Sequence, residues 1–157
     1  MTRGSQLSAL LLMLALTLAG VCPALADIPA ESGEITTHLE FRGYSWEEEE
    51  GWLTFVHEER LPFILMAFRG GILIQSWFDG TEYAAEHSDE FRIVVNSLNT
   101  SATVMRFYIE EDGDLAMEAW YPGTYNKQTF SAFVDAWIED SSVLLGSHYD
   151  ALSTLIQ

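Results

Sequence analysis

The stretch Phe63–Phe78, "FILMAFRGGILIQSWF", decides the fold of this chain. Its first part, Phe63–Arg69, is apolar at both alternating sets of positions, which is typical of a central strand covered on both faces. Pro62 suits only the start of such a strand, because proline lacks the backbone donor that an inner position needs. Gly70-Gly71 predicts a tight reversal into a second strand, Ile72–Phe78. The stretch therefore predicts two antiparallel strands at the middle of a sheet.

Two further strands precede this pair, and they flank "SWEEEEGW" (Ser45–Trp52). We expect strands at Tyr44–Glu47 and Trp52–Glu58, joined by a four-residue loop, Glu48–Gly51. This loop pairs Trp46 with Leu53 and Tyr44 with Phe55 on one face, and it places Glu47 and Trp52 on the other. Adjacent glutamates diverge, so the pattern indicates a solvated hairpin tip rather than a calcium site. Contact with a basic partner is the alternative.

A second hairpin is predicted in "TVMRFYIEEDGDLAMEAWY" (Thr103–Tyr121). A two-residue Asp112-Gly113 turn would mix apolar and charged residues on each face. A three-residue loop, Glu111–Gly113, with Gly113 left-handed, separates them. This register places Arg106 opposite Glu118. It also gathers one apolar set: Met105, Phe107, Ile109, Leu115, Met117 and Ala119.

Three amphipathic helices complete the chain. The first lies within Glu31–Tyr44, with Ser32 as its cap and Gly43 as its left-handed stop. The second, His87–Thr100, has Ser88 as its cap and one apolar stripe. The third begins near Asn126 and ends at Gly146, before a further turn or short helix at Ser147–Ile156. The element order α-β-β-β-β-α-β-β-α indicates an α+β fold, with helices packed against an antiparallel sheet.

The first 26 residues have the pattern of a cleaved signal peptide. Arg3 precedes an apolar run, Leu7–Val21, that is short for a membrane span. "PALA" (Pro23–Ala26) predicts cleavage after Ala26, and lipidation at Cys22 is the alternative. We therefore expect a periplasmic or secreted protein whose residues 27–157 form one domain.

The charge of the chain excludes several classes of partner. Without Arg3 the chain has six basic and 24 acidic residues, a formal charge of −18. Such a surface repels phosphate backbones and anionic lipid heads, so we expect no nucleic-acid binding and no stable membrane association. Cys22 is the only cysteine and lies in the predicted leader, so stability comes from buried apolar surface.

The polar motifs do not form a reactive centre. "HEER" (His57–Arg60) lacks the second histidine of a zinc-protease motif, and "EEDGD" (Glu110–Asp114) lacks the closing glutamate of a calcium loop. No serine lies in a nucleophile elbow. We predict no catalytic, cofactor-binding or metal-ligating residues and no cofactor. For Asn96 and Asn99, capping of the second helix is favoured over ligand binding.

The segment Phe91–Trp137 resembles the YbjN-like family of proposed bacterial sensory transduction regulators. The resemblance lies in a helix ending in Asn96-x-x-Asn99, a hairpin with an acidic turn, and Thr129-Phe130 at the start of an apolar helix. It covers about residues 35–141. It implies a fold like that of type III secretion chaperones, which are often dimeric, and a protein that binds other proteins without catalysis. The predicted signal peptide departs from these cytosolic relatives.

These observations predict an exported, non-catalytic protein-binding module, chaperone-like or regulatory, that forms a homodimer. Three tryptophans fall on the less core-like strand faces and are candidate protein contacts: Trp52, Trp77 and Trp120. Burial of these three under helices or loops is the alternative. One other function is an acidic inhibitor or immunity-like protein that masks a basic enzyme. Another is a small hydrolase that uses acidic residues or a metal.

Overall fold

The computed structural model describes residues 27–157 and shows one six-stranded antiparallel sheet with helices packed against it. The predicted α+β class is therefore confirmed. The predicted signal peptide, residues 1–26, lies outside the described residues. None of the helices formed by residues 27–157 is long and apolar enough to cross a membrane.

The strands follow the order β1-β2-β3-β4-β6-β5 across the sheet. Their bounds are β1 Ser45–Glu49, β2 Trp52–Val56, β3 Phe63–Phe68, β4 Gly71–Phe78, β5 Arg106–Ile109 and β6 Leu115–Pro122. The FILMAF strand is the third of the six, as its apolar composition predicted. Strands β1 and β5 form the two edges.

The helices lie before, between and after the strands. Their bounds are α1 Ser32–Phe41, α2 Glu82–Glu86, α3 Ser88–Ser101, α4 Lys127–Glu139, α5 Leu145–Ser147 and α6 Tyr149–Leu152, with a π-helical segment, Asp140–Leu144, between α4 and α5. Helix α2 was not predicted. The residue that marks the start of this helix is Thr81, whose side chain caps it by accepting a hydrogen bond from the Ala84 backbone N–H at 3.1 Å.

The main core lies between the sheet and the helices. Helix α1 contributes Ile35 and Leu39, and α3 contributes its predicted stripe, all of them buried. The apolar set predicted for the β5–β6 hairpin faces the same core. Burial of each such large side chain stabilises the fold by roughly 1.5–3 kcal/mol relative to exposure.

Both hairpins have turns whose residues suit the backbone. The β5–β6 loop is Glu111–Gly113 with Gly113 at φ 98°, and Arg106 pairs with Glu118, so both predictions are confirmed. The β1–β2 register is wrong by two residues: Trp46 pairs with Phe55, and Glu49 pairs with Trp52. Gly51 at φ 95° permits the tighter turn. A two-residue shift preserves the faces, because side chains alternate with period two.

The β3–β4 reversal and three helix ends differ from prediction. The turn is Arg69-Gly70, both at positive φ, and Gly71 is the first residue of β4. Neither Ser32 nor Ser88 caps a helix, since each lies inside its helix and makes no cap bond. Gly146 does not end the third helix, because the α-helical pattern already changes at Asp140. Gly43 is left-handed at φ 90°, as predicted. The third helix begins just after Asn126, as predicted, and the Asn126 side chain caps it.

Candidate interaction surface

The structure brings Trp52, Trp77 and Trp120 to the same face of the sheet. Strand register fixes this: Leu73 pairs with Trp120, Trp77 pairs with Ala116, and alternate residues share a face. This face lies opposite the main core and carries its own buried cluster, Ile64, Met66 and Leu73. We call it the tryptophan face. No helix of residues 27–157 contributes to that cluster. The first four residues of β3 are nevertheless buried on both faces, as its composition predicted.

An apolar row crosses four strands of the tryptophan face. Met66 pairs with Leu73, and Leu73 pairs with Trp120. The Leu53–Leu65 pair places Trp52 beside Met66, and Trp52 packs on the Met66–Leu73 cluster. The row thus has a tryptophan at each end and aliphatic side chains between them.

Trp120 is held in a defined orientation at one end of this row. Its indole N–H donates to the Phe68 carbonyl at 3.0 Å, and 48% of the residue stays exposed. Gly71 makes this orientation possible, since a Cβ there would lie 2.6 Å from Trp120 Nε1 and 2.3 Å from the Tyr121 carbonyl oxygen. A large amphipathic ring is therefore presented to solvent with its polar atom already satisfied.

A second row, next to the first, is mainly polar. It runs across all six strands in the order Glu47, Thr54, Ile64, Gln75, Glu118, Arg106. Arg106 donates to Glu118 Oε1 at 2.6 Å, and Tyr108 Oη donates to Glu118 Oε2 at 3.2 Å. Burial, with Glu118 beside it, raises the pKa of Tyr108 to about 12. Tyr108 therefore remains a neutral donor in this polar rim.

The four glutamates of the first hairpin are all exposed. Glu47 and Glu49 point toward the tryptophan face, because they pair with Thr54 and Trp52. Glu50 lies in the turn itself. This agrees with the predicted solvated tip and gives the β1 edge of the face a negative charge.

The four histidines do not converge on one site. His38 lies on α1 between Tyr125 and Phe130, and its Nδ1 is 3.1 Å from the Tyr125 hydroxyl. Burial, aided by Arg42 and Lys127, lowers the pKa of His38. No group of three or more His, Cys, Asp or Glu side chains within residues 27–157 is arranged to hold a metal ion.

The most buried carboxylate is Asp140, which sequence reasoning did not find. It is 4% exposed, and its two oxygens accept four hydrogen bonds of 2.8–3.0 Å from the backbone N–H groups of Thr103, Val104 and Met105. These donors belong to the connection between α3 and β5. These charge-assisted hydrogen bonds hold the connection against the end of helix α4.

A cleft of about 490 Å³ separates α2 and α3 from the β5–β6 hairpin. Its walls carry Arg92 and Asn96 on one side and Glu110 and Asp112 on the other. Burial, with nearby Asp112 and Asp114, raises the pKa of Glu110. The lining residues of this cleft include one serine, Ser88, and no cysteine or lysine.

Together, the element order and the packing of the described helices on the sheet define an α+β protein. The chain shares this fold with YbjN from E. coli, a proposed transcription regulator. The crystal structure of YbjN matches with a TM-score of 0.63, covering 80% of this chain and 94% of YbjN, at 14% sequence identity. The resemblance to YbjN is thereby confirmed at the level of the fold. No family model matches the sequence, and none of the curated proteins matches it significantly.

Proposed function

We propose that this protein is an exported, non-catalytic binding module, chaperone-like or regulatory, that works through the tryptophan face. The observation that carries the proposal is the meeting of Trp52, Trp77 and Trp120 on a sheet face to which no described helix contributes. Tryptophan and methionine are enriched at protein interfaces, and binding energy concentrates at such aromatic anchors.

The regulatory part of the proposal draws on the fold shared with YbjN, itself a proposed transcription regulator. A direct role at DNA is disfavoured, because the formal charge of −18 repels phosphates. The binding partner that fits a tryptophan-rich sheet face is another protein. Regulation would then act through protein contacts.

The exported location rests on residues 1–26. An apolar run with small residues before Asp27 is read by the export machinery, which supports a periplasmic or secreted protein. N-terminal sequencing of the protein recovered from the cell envelope should start at Asp27. A chain that retains Met1 would contradict export.

The binding role is tested by a pull-down from the native envelope fraction. Trp52→Ala and Trp120→Ala should each reduce the recovered partner at least tenfold, because truncation of an anchoring tryptophan typically costs about 2 kcal/mol or more. The matched control is Phe41→Ala, since Phe41 is 91% exposed and lies on α1. Equal recovery with all three variants would refute the proposal.

The exposed glutamates of the β1–β2 hairpin support a second candidate, an acidic inhibitor of a basic enzyme. It differs from the first in its salt dependence, because exposed charge contacts are screened above physiological ionic strength. The acidic-inhibitor hypothesis predicts that 0.5 M salt, with a screening length of roughly 4 Å, releases the partner. It also predicts that the Glu48→Lys variant does not recover the partner. A salt-resistant partner favours the tryptophan face.

A further inference from the structure

We propose that the cleft between helix α3 and strand β5 binds a small cationic amide, whose amide group pairs with the outer backbone edge of Ile109. The cleft has a volume of about 490 Å³, within the usual range of small-molecule sites, roughly 300–1,000 Å³. Its apolar lining includes Phe91 and Val95 of α3. No tryptophan lines it, so this inference goes beyond the proposed function and does not depend on it.

The backbone N–H and C=O groups of Ile109 point into this cleft. In an antiparallel pair, successive residues turn these groups alternately toward the neighbouring strand and away from it. Glu110 turns its N–H toward β6, where it donates to the Asp114 carbonyl at 2.9 Å, and Phe107 turns both groups away, toward Asn99. Ile109 lines the cleft and therefore also turns both groups away from β6. No hydrogen bond formed within residues 27–157 reaches them.

Asn99 shows which chemical group satisfies such an edge. Its carboxamide accepts from the Phe107 N–H at 2.9 Å and donates to the Phe107 carbonyl at 2.8 Å. Ile109 presents the same donor and acceptor two residues further along β5, and there the cleft takes the place of a second asparagine. A primary amide of a ligand has a donor and an acceptor side by side, so it can pair with Ile109 in the same manner.

The cleft is bridged at both ends, so its occupant is short. At one end Asn99 joins α3 to β5. At the other end the Gly80 N–H donates to Asp114 Oδ1 at 2.8 Å, and a Cβ on Gly80 would lie 2.3 Å from the Gly113 carbonyl oxygen. Between these bridges Ile109 is the one residue of β5 with outward backbone groups. A polypeptide that adds a strand needs a longer open edge, whereas a small molecule needs only this one residue.

The acidic wall of the cleft favours a positively charged ligand. Glu110 and Asp112 line this wall, and neither takes part in an ion pair formed within residues 27–157. Burial, together with acidic neighbours, raises the pKa of Glu110, because no cation compensates its charge. Arg92, on the opposite wall, already pairs with Asp89 at 2.8 Å. An ammonium group of the ligand would therefore supply the counter-charge that the acidic wall lacks.

Lysinamide is the probe, because it combines a primary amide with ammonium groups. Two matched compounds each lack one part of it: cadaverine has no amide, and hexanamide has no amine. Each compound is titrated at low salt into the isotope-labelled protein, expressed as the full chain, and NMR amide resonances give the dissociation constant. Lysinamide should bind about tenfold more tightly than either compound and should shift the Ile109 N–H resonance.

Charge-removing variants test the acidic wall. Glu110→Gln and Asp112→Asn should each weaken lysinamide binding about threefold or more, because each removes one carboxylate charge beside the ligand. Neither should change the binding of hexanamide, which has no charge. The matched control is Glu111→Gln, since Glu111 is exposed in the same loop and does not line the cleft.

Ile109→Pro tests the amide pairing. Proline removes the outward N–H and leaves the hydrogen bonds to β6 in place, so this edge position tolerates it. The variant should lose the preference for lysinamide over cadaverine. The shift of the Ile109 N–H resonance in the wild type tests the same pairing without a substitution, should the variant fail to fold.

Equal binding of cadaverine and lysinamide would overturn the proposal, and so would an Ile109 N–H resonance that lysinamide leaves in place. An equal loss from Glu111→Gln and Glu110→Gln would show that the overall charge attracts the ligand, which would also overturn the site. Trp120→Ala should bind lysinamide as the wild type does. The cleft and the tryptophan face therefore succeed or fail separately.

Discussion

The side-chain amide of Asn99 pairs with both backbone groups of Phe107 on the outer edge of strand β5. Phe107 N–H donates to Asn99 Oδ1 at 2.9 Å, and Asn99 Nδ2 donates to the Phe107 carbonyl at 2.8 Å. The same Nδ2 also donates to the Val95 carbonyl at 3.0 Å. One residue at the end of α3 thus takes the place that a neighbouring strand would have. It links helix and sheet and blocks edge pairing at this point.

Asn99→Ala should destabilise the protein by about 2 kcal/mol, because both Phe107 backbone groups lose their partner. Urea unfolding measures the change. The control is Asn96→Ala. Asn96 and Asn99 are both exposed on the same helix, but the bonds to Phe107 belong to Asn99, so the Asn96 variant should stay within about 0.5 kcal/mol of wild type. Equal effects at the two positions would show that the Phe107 pairing contributes nothing.

Asp140→Ala should be more severe, with a loss of about 3 kcal/mol or more. The substitution leaves three N–H groups of the α3–β5 connection without their acceptor, one of them in the buried residue Met105. Thermal unfolding is the measurement, and Glu139→Ala is the neighbouring exposed control. If Asp140→Ala were as stable as Glu139→Ala, the carboxylate would not hold this connection.

Gly71→Ala should disturb the tryptophan face directly. Its Cβ would lie within 3 Å of the Tyr121 carbonyl oxygen and the Trp120 indole, so the indole must move or the strands must separate. We expect a loss of about 2 kcal/mol and a changed tryptophan emission spectrum. Gly33→Ala is the opposite control, because nothing lies within 4 Å of its Cβ on α1. That variant should gain up to about 1 kcal/mol.

The stability of the protein should fall as the pH is lowered below the ordinary histidine pKa of about 6.5. Burial, Arg42 and Lys127 lower the pKa of His38, while Asp135 opposes them. The unfolded chain therefore binds a proton more readily than the folded chain, so acid favours unfolding. Chemical denaturation measures the free energy of unfolding between roughly pH 7.5 and pH 5, on either side of the ordinary histidine pKa. The free energy of unfolding should fall less with decreasing pH in His38→Gln than in the wild type. An unchanged slope in His38→Gln would contradict this origin.

Sequence pattern located most of the fold because burial alternates with period two in the strands and follows helical spacing in α1, α3 and α4. The Glu111–Gly113 loop could be chosen because one register separates apolar from charged residues. The β1–β2 register could not be chosen in this way. The observed register pairs Glu48 with Leu53 and the predicted one pairs Trp46 with Leu53, and both leave every side chain on the same face of the sheet. Two registers that differ by two residues are therefore equally consistent with the sequence.

The tryptophan face was predictable in part. Alternation placed Trp52, Trp77 and Trp120 away from the core-facing positions, but their meeting depends on the β4–β6 pairing between segments distant in sequence. Asp140 had no sequence signal, since its partners are backbone groups some 35–37 positions earlier in the chain. A side chain that satisfies remote backbone donors becomes visible only when the tertiary structure is known.

Site-specific photo-cross-linking at position 120 tests the binding role of the tryptophan face most directly. A benzophenone amino acid is placed there in the full chain, and a second variant has it at position 41, on the exposed end of α1. Irradiation in the native cells should give protein adducts from position 120 and none from position 41. Adducts from position 41 with none from position 120 would contradict the account.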